Sequence, residues 1–117
     1  MQIETLLGLK NIESIANVNG VDGVFVGPSD LSASMGKVGD PGNPDVIAAI
    51  KLGFKAIQSA GKSAGVLAVS EDLVKIYQEA GAKFIGVGVD AALLASATKK
   101  LASLYILDAS DDISEGY

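Results

Sequence analysis

Four short apolar runs alternate with four longer segments of helical periodicity along this chain of 117 residues. Each run has the length and the β-branched content of a buried strand, and each is bounded by Gly, Pro, Asn, Asp or Ser. The predicted strands are Met1–Thr5, Val21–Val26, Ala64–Val69 and Lys83–Val89. A βαβαβαβα order predicts an α/β fold with a parallel sheet and right-handed crossovers.

The predicted helices follow these strands. Asn11 is expected to cap a short first helix, and Asn43 with Pro44 fits an N-cap and a first helical residue after a Gly-rich loop over residues 32–42. Ser70 and Asp90 are expected to cap the last two helices. The apolar residues predicted to be buried on these helices are Ile12, Ile15, Ala16, Val18, Val46, Ile47, Ile50, Phe54, Ile57, Leu73, Val74, Ile76, Tyr77, Leu93, Leu94, Ala97, Leu101 and Leu104.

Two architectures fit this order of elements. A small open sheet carries helices on both faces and binds ligands at the carboxyl ends of its strands. Half of a (β/α)8 barrel, whose full length is about 250 residues, leaves two unpaired edges and a concave apolar face. The first predicted strand begins at residue 1, as if the chain were cut within a strand, and this favours the half barrel.

Composition excludes several classes of function. The net charge of −5 argues against nucleic acid or an anionic membrane as the main partner. The sequence contains no Cys, which removes disulfides and thiolate sites. No apolar run approaches the roughly 20 residues needed to span a bilayer, and the N-terminus lacks the features of a signal peptide. We therefore expect a cytoplasmic protein.

The basic residues are also restricted in type. The chain has no His, and all nine of its basic residues are Lys. The commonest general base and the best bidentate partner for a carboxylate are therefore both absent.

Two carboxylates are expected at the ends of neighbouring strands. In the segment QIET, Gln2 and Glu4 lie two residues apart and therefore on one face, and Asp30 follows the next strand in the segment GPSDLS. Neighbouring strands are about 4.8 Å apart, so both carboxylates can reach one Mg²⁺ or Mn²⁺, an ion that often takes only one or two protein carboxylates. Gly27 lets the backbone approach a ligand, and amides around Ser29 can hold a substrate carboxylate. The alternative is a solvated glutamate and an aspartate that caps the DLSAS turn.

Four segments in this order and spacing closely resemble the HpcH/HpaI aldolase family: QIET, GVDGVFVGPSDLSASMG, AGKSAGVLA and GAKFIGVGVDAALL. The family contains metal-dependent class II aldolases that act on pyruvate-type substrates, such as 4-hydroxy-2-oxoheptanedioate aldolase. The resemblance covers about residues 1–105 and implies strands five to eight of a (β/α)8 barrel. It therefore implies a half-barrel domain over residues 1–105 and an acidic tail over residues 106–117.

The resemblance also implies roles for individual residues. It makes Glu4 and Asp30 ligands of a divalent metal, and it places Gln2 and Ser29 against the pyruvate unit. The family's catalytic His and Arg belong to the first half of its barrel, and this chain contains neither type, so we assign no catalytic residue. The predicted substrate-binding residues are Gln2, Gly27, Pro28, Ser29 and Asp30, and the predicted metal ligands are Glu4 and Asp30.

The resemblance implies a metal-dependent carbon–carbon lyase of the pyruvate-aldolase type, or a fragment of one. The alternative is a non-enzymatic half barrel that binds a 2-oxo acid or a partner chain without turnover. Because an uncovered apolar face is costly in water, we expect the chain to pair, as a homodimer or with a complementary half-barrel chain.

Overall fold

The parallel sheet of this protein has four strands. The computed structural model describes residues 1–106, and its strands are β1 (Gln2–Ile3), β2 (Gly23–Val26), β3 (Ser63–Leu67) and β4 (Phe84–Gly86). Each neighbouring pair is parallel, and the strands lie side by side in chain order. The predicted α/β fold with four parallel strands alternating with helices is therefore confirmed. Each strand is shorter than predicted, and β3 begins one residue before its predicted start, at Ser63.

The strands of the sheet follow one another in space in the order of the chain. A doubly wound sheet reverses its order at one point, whereas this sheet runs β1-β2-β3-β4 without a reversal. Right-handed crossovers that always advance in one direction place their helices on one face of the sheet. The burial of the strands agrees with this, since Val24, Val26 and Val66 are fully buried on one face while Gln2 and Phe84 on the other are exposed.

Helices follow every strand. The chain divides into a first unit, Met1–Val87, and a second unit that begins at Gly88. Among residues 1–106, no helix combines the length and the apolar character that a membrane span requires. The first unit contains α1 (Leu6–Lys10), α2 (Ile12–Ala16), α3 (Pro28–Ser34), α4 (Pro44–Ser59) and α5 (Glu71–Glu79), and the second contains α6 (Asp90–Ala102).

Two of the predicted helix caps are present. The side chain of Asn43 accepts a hydrogen bond from the Asp45 amide at 3.0 Å, at the start of α4. The hydroxyl of Ser70 accepts one from the Leu73 amide at 3.3 Å, at the start of α5. Both helices therefore begin where their capping residues predicted.

The cap predicted for the first helix is wrong. Asn11 lies between α1 and α2 and makes no capping bond through its side chain, whereas the Thr5 hydroxyl caps α1 by accepting from the Gly8 amide at 3.0 Å. Val18 is 55% exposed, because α2 ends at Ala16 and Val18 lies in the turn that follows.

The prediction for the last helix is also partly wrong. Asp90 is the first residue of α6, not its cap, which is Val89. No residue of α6 is buried, and the second unit contains no other described helix or strand. The exposed leucines are Leu93, Leu94, Leu101 and Leu104. The predicted acidic tail begins at residue 106, and all of it after that residue lies outside the described residues.

The hydrophobic core lies between the sheet and the helices that cover it. Phe54 of α4 and Tyr77 of α5 meet edge to face, with ring centroids 5.9 Å apart. Both side chains are fully buried, and the Tyr77 hydroxyl has no hydrogen-bond partner within the described residues. The other buried apolar residues are Ile3, Ile12, Ala16, Val24, Val26, Leu31, Val46, Ile50, Ile57, Ala64, Val66 and Ala68.

Tyr77→Phe tests the energetic consequence of this buried hydroxyl. Desolvation by burial raises the pKa of Tyr77 from 10.0 to about 12, because an apolar environment disfavours the charged phenolate. A folded-state pKa above the unfolded value contributes stability that is complete below pH 10 and is lost as the pH rises towards 12. In denaturant titrations, the variant should lose less stability than the wild type over this interval. At neutral pH it should be more stable by roughly 1 kcal/mol, because an unpaired buried hydroxyl is removed.

The control for this experiment is Tyr105→Phe, since Tyr105 is 81% exposed. This variant should follow the pH dependence of the wild type. If Tyr77→Phe and the wild type lose the same unfolding free energy between neutral pH and pH 12, burial does not raise the pKa of Tyr77.

Candidate functional site

The carboxyl end of β1 brings two polar side chains together. Gln2 lies in β1 and Glu4 just beyond it, and the Gln2 side-chain amide donates a hydrogen bond to the Glu4 carboxylate at 2.6 Å. The prediction that these two side chains share a face is confirmed. The Gly27 amide donates to the Ile3 carbonyl at 2.9 Å, so the end of β2 lies directly beside Glu4.

Gly27 provides the space that the Glu4 side chain occupies. A Cβ atom at this position would lie 2.9 Å from Glu4 Cγ and 3.1 Å from Glu4 Oε1. Such contacts are well inside van der Waals separation, so any larger residue would displace the carboxylate. The absence of a side chain at Gly27 thus positions Glu4 beside the end of β2.

The segment after Gly27 is helical, although no helix was predicted there from the sequence. Pro28 is the first residue of α3 and is buried, and Ser29 and Asp30 are exposed in its first turn. Residues 32–34 therefore belong to a helix and not to the predicted loop. The sequence did contain a signal for this helix. Pro28 is its first residue, and Pro at the first helical position is the feature from which the start of α4 was predicted.

A second contact joins this helix to the segment that carries Glu4. The Ser34 hydroxyl, at the last residue of α3, accepts a hydrogen bond from the Leu6 amide at 3.0 Å. Thr5 caps α1 immediately after Glu4. Both hydroxyl groups fix the backbone around Glu4. Neither role was predicted from the sequence, although Thr5 before an apolar run is a recognisable cap signal.

The donor set fits a hard divalent cation. Glu4 follows β1 and Asp30 lies three residues beyond Gly27, so carboxylate oxygens stand at the carboxyl ends of two paired strands. Within residues 1–106 no group of three or more His, Cys, Asp or Glu side chains is arranged to hold a metal ion. Mg²⁺ and Mn²⁺ accept one or two carboxylates and complete their shell with water and substrate oxygens. Glu4 and Asp30 are two carboxylates of the kind that such an ion accepts.

The face of the sheet opposite the helices carries an aromatic pair. Gln2, Phe25, Gly65 and Phe84 are register partners across the four strands. The rings of Phe25 and Phe84 lie 5.7 Å apart between centroids, and a Cβ on Gly65 would lie 2.9 Å from Phe25 Cδ2. The two rings therefore meet over a glycine.

These residues line a concave surface, hereafter the open face, that encloses about 650 Å³. Phe25 and Phe84 were not predicted from the sequence to share a surface. The alternation in Val24, Phe25 and Val26 indicates which residue points away from the helices. The full lining is Met1, Gln2, Gly23, Val24, Phe25, Ser63, Gly65 and Phe84.

Comparison with known proteins establishes the family. Residues 1–97 match the family model described as HpcH/HpaI aldolase/citrate lyase. The chain belongs to this family, as its motifs predicted.

Individual relatives are named as aldolases. The chain is 50% identical over 105 residues to the hydroxypyruvate/pyruvate aldolase of Pseudomonas aeruginosa, a match that covers 90% of this chain and 39% of that protein. It is also 50% identical over 105 residues to the 4-hydroxy-2-oxo-heptane-1,7-dioate aldolase of Shigella sonnei, covering 90% of this chain and 40% of the relative.

A solved structure shares the fold. The crystal structure of an HpcH/HpaI aldolase/citrate lyase family protein from Burkholderia cenocepacia matches with a TM-score of 0.78 and 38% sequence identity. The match covers 88% of this chain and 40% of that one. The chain therefore spans about two fifths of the length of these relatives.

Gly27→Ala tests the packing of Glu4. The added methyl group has to displace the glutamate side chain, and overpacking of this kind costs about 1–3 kcal/mol. We expect this loss in the unfolding free energy, together with a changed side-chain amide resonance of Gln2 in NMR spectra as its bond to Glu4 breaks.

Gly42→Ala is the matched control, because no atom lies within 4 Å of a Cβ at Gly42 and its φ is not positive. Its unfolding free energy should stay within about 0.5 kcal/mol of the wild type. If the two variants behave alike, Gly27 has no special role in placing Glu4.

Proposed function

We propose that this chain carries the metal- and substrate-binding half of a metal-dependent carbon–carbon lyase of the class II pyruvate-aldolase type, with a 2-oxo acid as substrate. The observation that carries the proposal is the Glu4 carboxylate packed on Gly27 beside the end of β2. Membership of the HpcH/HpaI family and the relatives named as pyruvate-type aldolases support it.

On this proposal the four βα units correspond to half of a (β/α)8 barrel. The unreversed strand order and the helices on one face support this assignment. Active sites of such barrels lie at the carboxyl ends of the strands, and this is where Glu4 and Asp30 stand.

Each proposed site residue then has a defined role. Glu4 and Asp30 hold the divalent cation, and the Gln2 amide orients the Glu4 carboxylate and contacts the pyruvate unit. Ser29 contacts the substrate from the first turn of α3, which Pro28 begins. When bound, Mg²⁺ or Mn²⁺ polarises the 2-oxo group and stabilises the negative charge that develops as the carbon–carbon bond breaks.

The residue types absent from the chain limit which reactions it can accelerate. Aldol cleavage requires proton transfer, and a positioned acid or base contributes about 10²–10⁴-fold to such a step. The chain contains neither His nor Arg. Decarboxylation of oxaloacetate depends less on a positioned acid or base, because carbon dioxide leaves without the help of a base.

A second candidate function is binding without turnover. The lack of His and Arg favours it. In this case the chain binds a 2-oxo acid or a partner chain and performs no chemistry.

Asp30→Ala tests the metal assignment. Because a dicarboxylate adds oxygen donors to the cation, oxalate should tighten Mn²⁺ binding to the wild type by about tenfold or more. Isothermal titration calorimetry of Mn²⁺ with and without oxalate measures this linkage, which should disappear in Asp30→Ala and in Glu4→Gln.

Asp22→Ala is the control. Asp22 also carries a carboxylate, but it precedes β2 and therefore lies at the amino end of the strands, away from the proposed site. It should retain the full linkage. Unchanged linkage in Asp30→Ala would exclude Asp30 as a ligand.

The two candidate functions differ in turnover. For the lyase we expect weak Mn²⁺-dependent decarboxylation of oxaloacetate and negligible retro-aldol cleavage of 4-hydroxy-2-oxo acids. Pyruvate release in a coupled assay measures both reactions, and Asp30→Ala should abolish the first. If decarboxylation is no faster than with free Mn²⁺, only the binding function remains. If aldol turnover reaches the ordinary enzymatic rate of about 1–10³ s⁻¹, His and Arg are not needed for the reaction.

A further inference from the structure

Two hydrogen bonds connect the chain at the carboxyl end of β1 with the chain at the carboxyl end of β2. In the first, the Gly27 amide donates to the Ile3 carbonyl at 2.9 Å. In the second, the Leu6 amide donates to the Ser34 hydroxyl at 3.0 Å. Within the described part of the chain, no further hydrogen bond joins these two stretches of backbone.

The two bonds enclose both carboxylates of the candidate site. Glu4 lies between the two bonded residues of the first stretch, and Asp30 lies between the two bonded residues of the second. The backbone and the two bonds therefore form a closed ring with one carboxylate on each side. The separation of the two sides depends on the Ser34 bond as well as on the pairing of the strands.

The geometry of α3 places Asp30 on the same side as this bond. Asp30 and Ser34 are four residues apart in the helix, and side chains four apart on a helix lie on one face, one above the other. The Ser34 hydroxyl contacts the Leu6 amide, so this face of α3 is directed at the segment that carries Glu4. The same face therefore presents both the hydroxyl and the second carboxylate to that segment.

The Ser34 hydroxyl does not serve its own helix. A serine hydroxyl in a helix commonly bonds back to a carbonyl three or four residues earlier, as Ser32 does with the Ser29 carbonyl at 2.7 Å. Ser34 instead accepts from the first amide of α1, which has no partner inside that helix. Alanine forms helices more readily than serine, so helix formation alone does not account for a serine at this position.

We propose that Ser34 is a positioning residue, whose hydroxyl holds the Leu6 amide and thereby sets the separation of Glu4 and Asp30 for one divalent cation. This role rests on the proposed function, in which the two carboxylates bind the same ion. Ligands on two separate segments have to be brought together when the ion binds, and a contact that fixes them beforehand lowers the cost of binding.

Ser34→Ala removes the hydroxyl and leaves both carboxylates in the chain. The net worth of one hydrogen bond corresponds to Mn²⁺ binding that is weaker by about three- to tenfold, and calorimetry should find this loss both with and without oxalate. Because both ligands remain, oxalate should still tighten Mn²⁺ binding to this variant. Asp30→Ala should abolish that tightening, so the two variants distinguish a positioning residue from a ligand.

A conservative variant and a matched control complete the calorimetry. Ser34→Thr keeps the hydroxyl and should restore the Mn²⁺ affinity of the wild type. Ser59→Ala is the control, because Ser59 is also an exposed serine at the last position of a helix, and it should bind Mn²⁺ as the wild type does. Far-UV circular dichroism verifies that all three variants retain the helices.

Hydrogen exchange tests the same coupling from the other side. If the hydroxyl strengthens cation binding, the bound cation must strengthen the bond to the hydroxyl by the same factor. Mg²⁺ with oxalate should therefore slow exchange of the Leu6 amide by about three- to tenfold in NMR spectra of the wild type. The Leu73 amide, which the Ser70 hydroxyl accepts at 3.3 Å in α5, should exchange at an unchanged rate.

The outcomes separate the positioning role from the proposed function. If Ser34→Ala binds Mn²⁺ as tightly as the wild type while oxalate still tightens binding to both, the positioning role is overturned and the metal site is upheld. If Ser34→Thr binds as weakly as Ser34→Ala, the hydroxyl does not position the ligands and the role is overturned as well. If oxalate does not tighten Mn²⁺ binding to the wild type, the proposed function fails and the positioning role fails with it.

Discussion

The fold depends on the constraint that consecutive parallel strands are joined by crossovers of one hand. In this chain the crossovers never reverse direction, so the sheet runs β1-β2-β3-β4 and the helices that connect its strands lie on one face. The helix-facing side chains of the strands are consequently buried, whereas Gln2 and Phe84 on the other face remain exposed. One topological rule thus accounts for both the buried core of the protein and the exposed residues on the opposite face of the sheet.

The same constraint locates the candidate site. Because all four strands run in one direction, their carboxyl ends lie at the same end of the sheet. The residues just beyond the strands can therefore act together. Glu4 takes its place there because Gly27 has no side chain and because the Gln2 amide holds its carboxylate at 2.6 Å. Two carboxylates without His or Arg suit cation binding better than proton transfer. The chemistry proposed for this family member follows both from the two carboxylates at that end of the sheet and from the absence of His and Arg from the chain.

Local signals account for what was predicted correctly from the sequence. Asn43 and Ser70 cap their helices as expected, since a cap depends on bonds across only two or three residues. Gln2 and Glu4 share a face because the side-chain period of an extended chain is two. The alternation of strands and helices, the buried face of α4 and the family membership were all predicted from the order of residues. The roles of Glu4 and Asp30 as metal ligands were inferred by resemblance and remain proposals.

The sequence by itself determined the types of the main elements, the residues that begin α4 and α5, and the carboxylates that follow β1 and β2. Only the tertiary structure decided that Val18 is exposed. It also decided that Phe25 and Phe84 meet over Gly65. The physical reason is distance along the chain. Caps and periodicity are set by neighbours within a turn, whereas burial and ring contacts depend on which distant segments pack together, and Phe25 and Phe84 become neighbours only when β3 lies between them.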